Sequence, residues 1–254
     1  MGQPGPGLQA RAVCYPAFVD VKGKLAVVTG GGRRVGAAIV EALAGAGARP
    51  VVHYHRSREA AEALASRWGG VALGADLSRP AGATELSEAV ARLDGELAVW
   101  VNSAGVLERA DFLESDDALW SRTLQLTLLA PVSCCRAAAG RMASGGVIIN
   151  ILDVAAHQPW KGYAHHCVAK AALLMATRAL AVELAPAVRV CGISPGLVAP
   201  LEDGSPWRGL VQRVPLGREG SPADVGQAVR FLVEADYVTG SVLGVDGGLV
   251  ARSI

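Results

Sequence analysis

Two short stretches carry residue types that can do chemistry. In GYAHHCVAK, Gly162 to Lys170, His166 and Lys170 stand four positions apart. Residues at i and i+4 share one face of a helix, so an imidazole and an ammonium can meet in one site. Free histidine exchanges its proton near pH ~6.5, which suits it to proton transfer at working pH. A cation beside it disfavours its charged form and makes it a weaker proton reservoir. The second stretch is TGGGRRVG, Thr29 to Gly36, which follows an apolar run and opens a helical pattern. There Gly30 lets the chain turn sharply and Gly36 lets helix and strand pack closely, while amides at the helix start, Val35 among them, face a pyrophosphate. Taken alone, a glycine loop can also be a tight turn with no ligand.

Both stretches need elements to hold them. From Leu25 onward, short apolar runs alternate with longer helical patterns. The runs are LAVVT (25–29), PVVHY (50–54), VALGA (71–75), LAVWV (97–101), GVIINI (146–151), VRVCGI (188–193) and SVLGV (241–245). Runs apolar at nearly every position are what a parallel sheet covered on both faces requires. Helical patterns fall near 34–47, 57–68, 81–93, 115–142, 164–185 and 222–234. The alternation predicts an α/β fold, a single Rossmann-type doubly wound parallel sheet with helices on both faces. Residues 1–23, beginning MGQPGPG, read as a flexible leader, and 24–254 as one domain without linker or repeat.

Composition narrows the partners. Of 254 residues, 51% are hydrophobic and 19% charged, which fits a large, well-filled core. Net charge is +1 with no basic run, so nothing points to nucleic acid. Five cysteines, Cys14, Cys134, Cys135, Cys167 and Cys191, form neither a CxxC pair nor a metal spacing, so buried thiols in a reducing compartment are expected. No secretory segment is visible, and the most apolar helical stretch, 167–185, is interrupted by Lys170, Arg178 and Glu183. The expectation is a soluble, cytoplasmic protein with no membrane partner and no metal.

The glycine loop follows TGxxxGxG, with Arg34 where the middle glycine would stand. That spacing resembles the short-chain dehydrogenases/reductases, and the likeness covers nearly the whole chain after residue 24. Asp76-Leu77 follows the third run, and NSAG (Asn102, Ser103, Ala104, Gly105), resembling the family's NNAG, follows the fourth. Pro195-Gly196 follows the sixth, and VDGG (245–248) lies near the chain end. The resemblance implies a nicotinamide dinucleotide held by these residues and Lys170, with Asp76 and Leu77 at the adenine. The second run ends HYHRS, presenting His55, Arg56 and Ser57 and no carboxylate, while Arg33 and Arg34 add cations at the loop. A carboxylate there would bond ribose hydroxyls and repel a 2′-phosphate, whereas arginine and serine bond it. NADPH is the expected cofactor; solvated surface charge is the plainer reading of Arg34 and Arg56.

In the resembling family, hydride passes between the nicotinamide and a carbonyl or imine carbon. A tyrosine donates the proton, a lysine four residues on holds the ribose, a serine orients the substrate and an asparagine completes a relay. Residue by residue, the lysine falls on Lys170, the tyrosine on His166, the serine on Asp153 and the asparagine on Thr127. Pteridine reductases, one branch of the family, carry aspartate at the serine position, an arginine-containing loop and an HYHRS-like second strand. TGGGRRVG, HYHRS and NILD…QP…GY resemble that branch, although Leu107 replaces the aromatic residue that stacks on the pterin. Asp153 can bond ring N–H groups or pass a proton through water; its bland role is to cap a turn. Tyr163, one turn before His166, is an alternative donor, as are Asp153 itself and His165. Trp160 and Trp207 can supply a flat apolar surface or simply pack, and 195–220 can close as a lid. These likenesses imply an NADPH-dependent reductase of a pterin-like or other carbonyl or imine small molecule, assembled as a homotetramer through helices near 115–142 and 164–185. A 3-oxoacyl or ketone reductase, and an NADP-binding homologue without turnover, are the alternatives.

Overall fold

The apolar runs become seven parallel strands in the computed structural model, which describes residues 19–142, 145–198 and 209–251. They are β1 (Leu25–Val28), β2 (Arg49–Tyr54), β3 (Val71–Gly74), β4 (Leu97–Asn102), β5 (Gly146–Ile151), β6 (Val188–Pro195) and β7 (Val242–Val245). Their order is β3-β2-β1-β4-β5-β6-β7. Each neighbouring pair is parallel. The order reverses between β1 and β4, which opens a crevice beyond their C-terminal ends, where open α/β sheets bind ligands.

Helices α1 (Arg34–Gly45), α2 (Arg58–Arg67), α3 (Gly82–Ala91), α4 (Asp117–Leu124), α5 (Ala130–Ala139), α6 (Ala164–Leu184) and α7 (Pro222–Glu234) supply the crossovers. Two core layers result. One packs Ile39, Val40 and Leu43 of α1 and Val225, Val229 and Leu232 of α7 on the sheet. The other packs Leu86 and Val90 of α3, Cys134 and Cys135 of α5 and Trp100 of β4 on the opposite face. Every residue of β4 and of β5 is buried, which is why both runs are apolar except at Asn102 and Asn150.

The structure departs from the sequence expectation at two places in the fold. The helix expected over 115–142 is broken by a π-helical turn, Gln125–Leu129. Pro131, at the start of α5, has no amide to give the carbonyl of Thr127, and its ring crowds that carbonyl; the wider turn relieves both. The expected leader is also too long. Val21 is 7% exposed within the first core layer and Gly23 N–H donates to Gly47 O at 2.8 Å, so packing begins before residue 24. Cys134, Cys135, Cys167 and Cys191 are free buried thiols, and Cys14 lies outside the described residues. Among the described residues, no helix is long and apolar enough to cross a membrane.

Candidate active site

At the crevice, the loop after β1 closes on its neighbours so tightly that side chains are excluded. Gly30 has φ +65°, and a Cβ there would lie 2.9 Å from Ala104 Cα. A Cβ on Gly36 would lie 2.1 Å from Gly30 O. Arg34, standing at the middle glycine position, adopts φ +51°, a left-handed conformation that costs a side-chain-bearing residue roughly 1–2 kcal/mol. Thr29 Oγ1 accepts from the amides of Ser103 (2.9 Å) and Ala104 (3.0 Å), tying NSAG to the loop. Within α1 the first bonded amide is Ala37 N–H, to Arg33 O, so those of Val35 and Gly36 find no carbonyl inside the helix.

His53 holds the same loop from the β2 side. Its Nδ1 accepts from Gly30 N–H at 3.0 Å, so its proton sits on Nε2, which donates to Ala75 O at 3.1 Å. Burial pushes His53 down to about 4, which keeps the ring neutral. The sequence reading passed over both Thr29 and His53. A lone histidine inside the apolar run PVVHY was the available signal for the second.

Arg33, Arg34, His55 and Arg56 are exposed around the ends of β1 and β2, and Ser57 immediately precedes α2. A Cβ on Gly32 would approach Ser57 Oγ to 2.9 Å, so the hydroxyl lies against the glycine loop. Asp76 Oδ1 accepts from Ser78 Oγ (2.6 Å) and Ser78 N–H (3.0 Å), and the serine hydroxyl holds the carboxyl below its ordinary range. His55 Nε2 is 3.7 Å from Asp76 Oδ2. A glycine loop bordered by exposed guanidinium groups, with no carboxylate from residue 53 to 57, fits a nicotinamide dinucleotide. Two expected cofactor residues are corrected in part. The Leu77 side chain is buried in the second core layer, and that of Asn102 is taken up by an internal network, so each can offer a ligand only its backbone. Gly196 N–H donates to Val245 O at 3.0 Å, which seats Pro195-Gly196 against the segment after β7.

That internal network fixes the substrate end. Trp100 Nε1 donates to Asn102 Oδ1 (2.9 Å), Asn102 Nδ2 to Asn150 Oδ1 (2.8 Å), and Asn150 Nδ2 to Thr177 Oγ1 (2.9 Å). Satisfied buried networks of this kind rigidify what they join, here β4, β5 and α6. Past the end of β5, Asp153 Oδ1 accepts from Ala155 N–H at 3.0 Å, capping a short turn. Its other oxygen, Oδ2, lies 3.3 Å from His166 Nε2. The capping role and the site role therefore coexist in one carboxylate. Lys170 Nζ donates to Ile151 O at 2.8 Å; burial pushes the buried ammonium down, and the charge of Asp153 opposes that shift. The structure thus gathers Asp153, His166 and Lys170.

The remaining candidates separate. Tyr163 meets Trp160 edge-on, 6.0 Å between ring centroids, and has no hydrogen bond to Asp153 or His166 among the described residues. His165 instead meets Trp120 edge-on, 6.2 Å between ring centroids, and burial pushes its imidazole down. Trp160 stacks on His166 at 6.5 Å with 20° between planes. Thr127 lies on the π-helical turn with Oγ1 buried and unpartnered among the described residues. Leu107 is half-buried, and Ala110 N–H donates to Gly162 O at 2.9 Å, so the loop after β4 is fastened beside the start of α6. Trp207 and the rest of 199–208, the middle of the expected lid, lie outside the described residues.

Residues 31–250 match the family model described as Enoyl-(Acyl carrier protein) reductase. The chain belongs to the short-chain dehydrogenase/reductase family. Carbonyl reductase family member 4 of Danio rerio is 37% identical over 232 residues, covering 89% of this chain and 98% of that protein. Among solved structures, FolM alternative dihydrofolate reductase 1 from Brucella canis, complexed with NADP, superposes with TM-score 0.83 at 33% identity, covering 91% of this chain and 96% of that one. A blue fluorescent protein from a metagenomic library, in complex with NADPH, gives TM-score 0.83 at 34% identity, covering 91% and 99%. This short-chain dehydrogenase/reductase therefore has the family's single parallel sheet and oxidoreductase ancestry, with Asp153 and His166 paired where the sequence resemblance places the family's serine and tyrosine.

Proposed function

We propose that the protein is an NADPH-dependent reductase of pterin-like or related imine-bearing heterocycles. The cofactor, when bound, supplies a hydride to substrate carbon. Arg33, Arg34, Arg56 and Ser57 bind the 2′-phosphate, where charge-assisted hydrogen bonds outweigh those of a neutral hydroxyl. His55 and Asp76 border the adenine side. Gly30, Val35 and Gly36 receive the pyrophosphate, and Ser103, Ala104, Gly105, Pro195 and Gly196 line the path to the substrate end. Lys170 keeps two ammonium N–H groups beyond the one given to Ile151 O, available for the ribose.

The observation that carries the substrate class is Asp153, whose side chain remains 23% exposed beside an almost fully buried His166. A carboxyl group accepts from a ring N–H through one oxygen and can give a proton to a ring nitrogen through the other, so it suits an amino-substituted nitrogen ring better than a simple ketone. The FolM likeness supports this reading. The half-buried Leu107, which offers no stacking ring, favours the ketone or 3-oxoacyl alternative, and the carbonyl reductase relative agrees with it. NADPH oxidation followed over a panel of dihydropterins, ketones and 3-oxoacyl thioesters is expected to be fastest with the dihydropterins. Faster turnover of either other class overturns the substrate assignment. Calorimetry is expected to show tighter binding of NADPH than of NADH, and tight binding without oxidation in any panel would indicate a homologue without turnover.

A homotetramer is supported by α6, where Val168, Met175 and Val182, seven residues apart on one face, are 51%, 60% and 79% exposed. Light scattering is expected to give the mass of four chains.

A further inference from the structure

His166 stands where the family resemblance puts a proton-donating phenol, yet its surroundings suit a different task. The residue is 4% exposed, Nε2 lies 3.3 Å from Asp153 Oδ2, and Nδ1 is buried with no partner among the described residues. A buried N–H without an acceptor is rare, whereas an unmet acceptor lone pair is tolerated more often. An imidazolium would carry N–H on both nitrogens and strand the one at Nδ1. A neutral ring protonated on Nε2 donates to Asp153 and leaves only a lone pair unmet. Trp160, stacked 20° from parallel, fixes the ring plane. Of the pair, Asp153 is the member that opens outward, with 23% of its side chain exposed against 5% for His166.

We propose that His166 is a positioning residue, a neutral imidazole that donates through Nε2 to hold Asp153, and that Asp153 is the group that exchanges protons with the substrate. In the reductive direction, substrate carbon gains hydride from the reduced nicotinamide and the adjacent ring nitrogen gains the proton of the Asp153 carboxyl O–H. The carboxylate so formed is reprotonated by solvent at its exposed edge, and His166 keeps its Nε2 proton throughout. The charged and titratable groups around the pair are consistent with this division. Lys170, one turn along α6, is engaged with Ile151 O. His165 on the same helix faces Trp120 and Glu108, Arg109 from the loop after β4 lies against Gly162, and Tyr163 meets Trp160.

The kinetic part of the test rests on the reductase reading above; the spectroscopic part is independent of it. Nitrogen-15 spectra of the full-length protein labelled at histidine, with His166 assigned by its loss in His166→Gln, are expected to show Nε2 protonated and Nδ1 bare near neutral pH. Protonation at Nδ1 overturns the proposal. With NADPH and a dihydropterin, His166→Gln, which keeps an N–H donor near the same place but cannot titrate, is expected to lose no more than about tenfold in kcat and to retain the wild-type pH profile. His166→Phe, without a donor, is expected to lose about a hundredfold or more, within the range for misplacing a general acid. If the glutamine variant falls as far as the phenylalanine variant and one limb of the pH profile vanishes, His166 is itself the donor and the proposal fails. Wild-type protein that oxidises no NADPH overturns the reductase reading and leaves the spectra to decide the role of His166.

Discussion

The two ends of the crevice are built to different standards of completion. At the dinucleotide end, Thr29 takes two amides, His53 takes Gly30 N–H and gives its own proton to Ala75 O, and the glycines leave no room for side chains. At the substrate end, Thr127 Oγ1 on the π-helical turn and Ser194 Oγ in β6 are buried without partners among the described residues. Buried polar atoms are nearly always satisfied, so a group of exceptions marks where a ligand or water completes the structure. The first end is preformed by packing and leaves only backbone amides open, those of Val35 and Gly36, whereas the second leaves buried side-chain atoms open. Motif spacing reports the former well and the latter poorly.

The largest expected effect breaks the comparison if it falls at the wrong end. Asp153→Asn is expected to cut kcat by roughly 10²–10⁴-fold while calorimetric NADPH affinity stays the same, the range for removing a positioned acid or base. A matching loss of NADPH affinity would mean that the two ends are not separable. Next is Gly36→Ala, whose methyl would sit 2.1 Å from Gly30 O. Overpacking of that kind is expected to cost about 3 kcal/mol in urea unfolding and to abolish NADPH binding.

A change in pH sharpens the comparison through His53. Its folded value of about 4 lies below the ordinary 6.5, so between those pH values the unfolded chain binds a proton that the folded one refuses. Stability is therefore expected to fall as pH drops from about 6.5 to about 4, by up to about 3 kcal/mol at roughly 1.4 kcal/mol per pH unit. His53→Asn, which keeps an acceptor for Gly30 N–H but cannot titrate, is expected to flatten that slope in pH-dependent unfolding. The smallest effect is a gain. Arg34→Gly relieves the φ of +51° and is expected to stabilise the fold by about 1 kcal/mol, seen as a higher Tm, while narrowing the preference for NADPH over NADH.

Much of this was legible before any coordinates. The seven strands lie within a residue or two of the apolar runs, because a sheet buried on both faces leaves no position where polarity is cheap. The i, i+4 spacing of His166 and Lys170 and the family offset to Asp153 identified residues that the fold brings together. What could not be read depends on backbone groups distant in sequence. His53 acquires its role from Gly30 N–H and Ala75 O, and nothing in HYHRS announces either. Asn102 looked like a cofactor contact because its motif was matched whole, yet its amide points to Asn150. The break at Gln125–Leu129 was hidden because the apolar pattern runs through it, although Pro131 was visible as its cause. Tyr163 had the right spacing and the wrong neighbour, since Trp160 takes up its ring.

The run of bonds from Trp100 through Asn102 and Asn150 to Thr177 has a practical corollary for anyone wishing to retarget this scaffold. Because it anchors the floor beneath Asp153 and His166, libraries aimed at new substrates can randomise Leu107 and Arg109 on the loop after β4 without disturbing the platform. The same libraries extended to Asn102 or Asn150 would mostly yield chains that no longer fold.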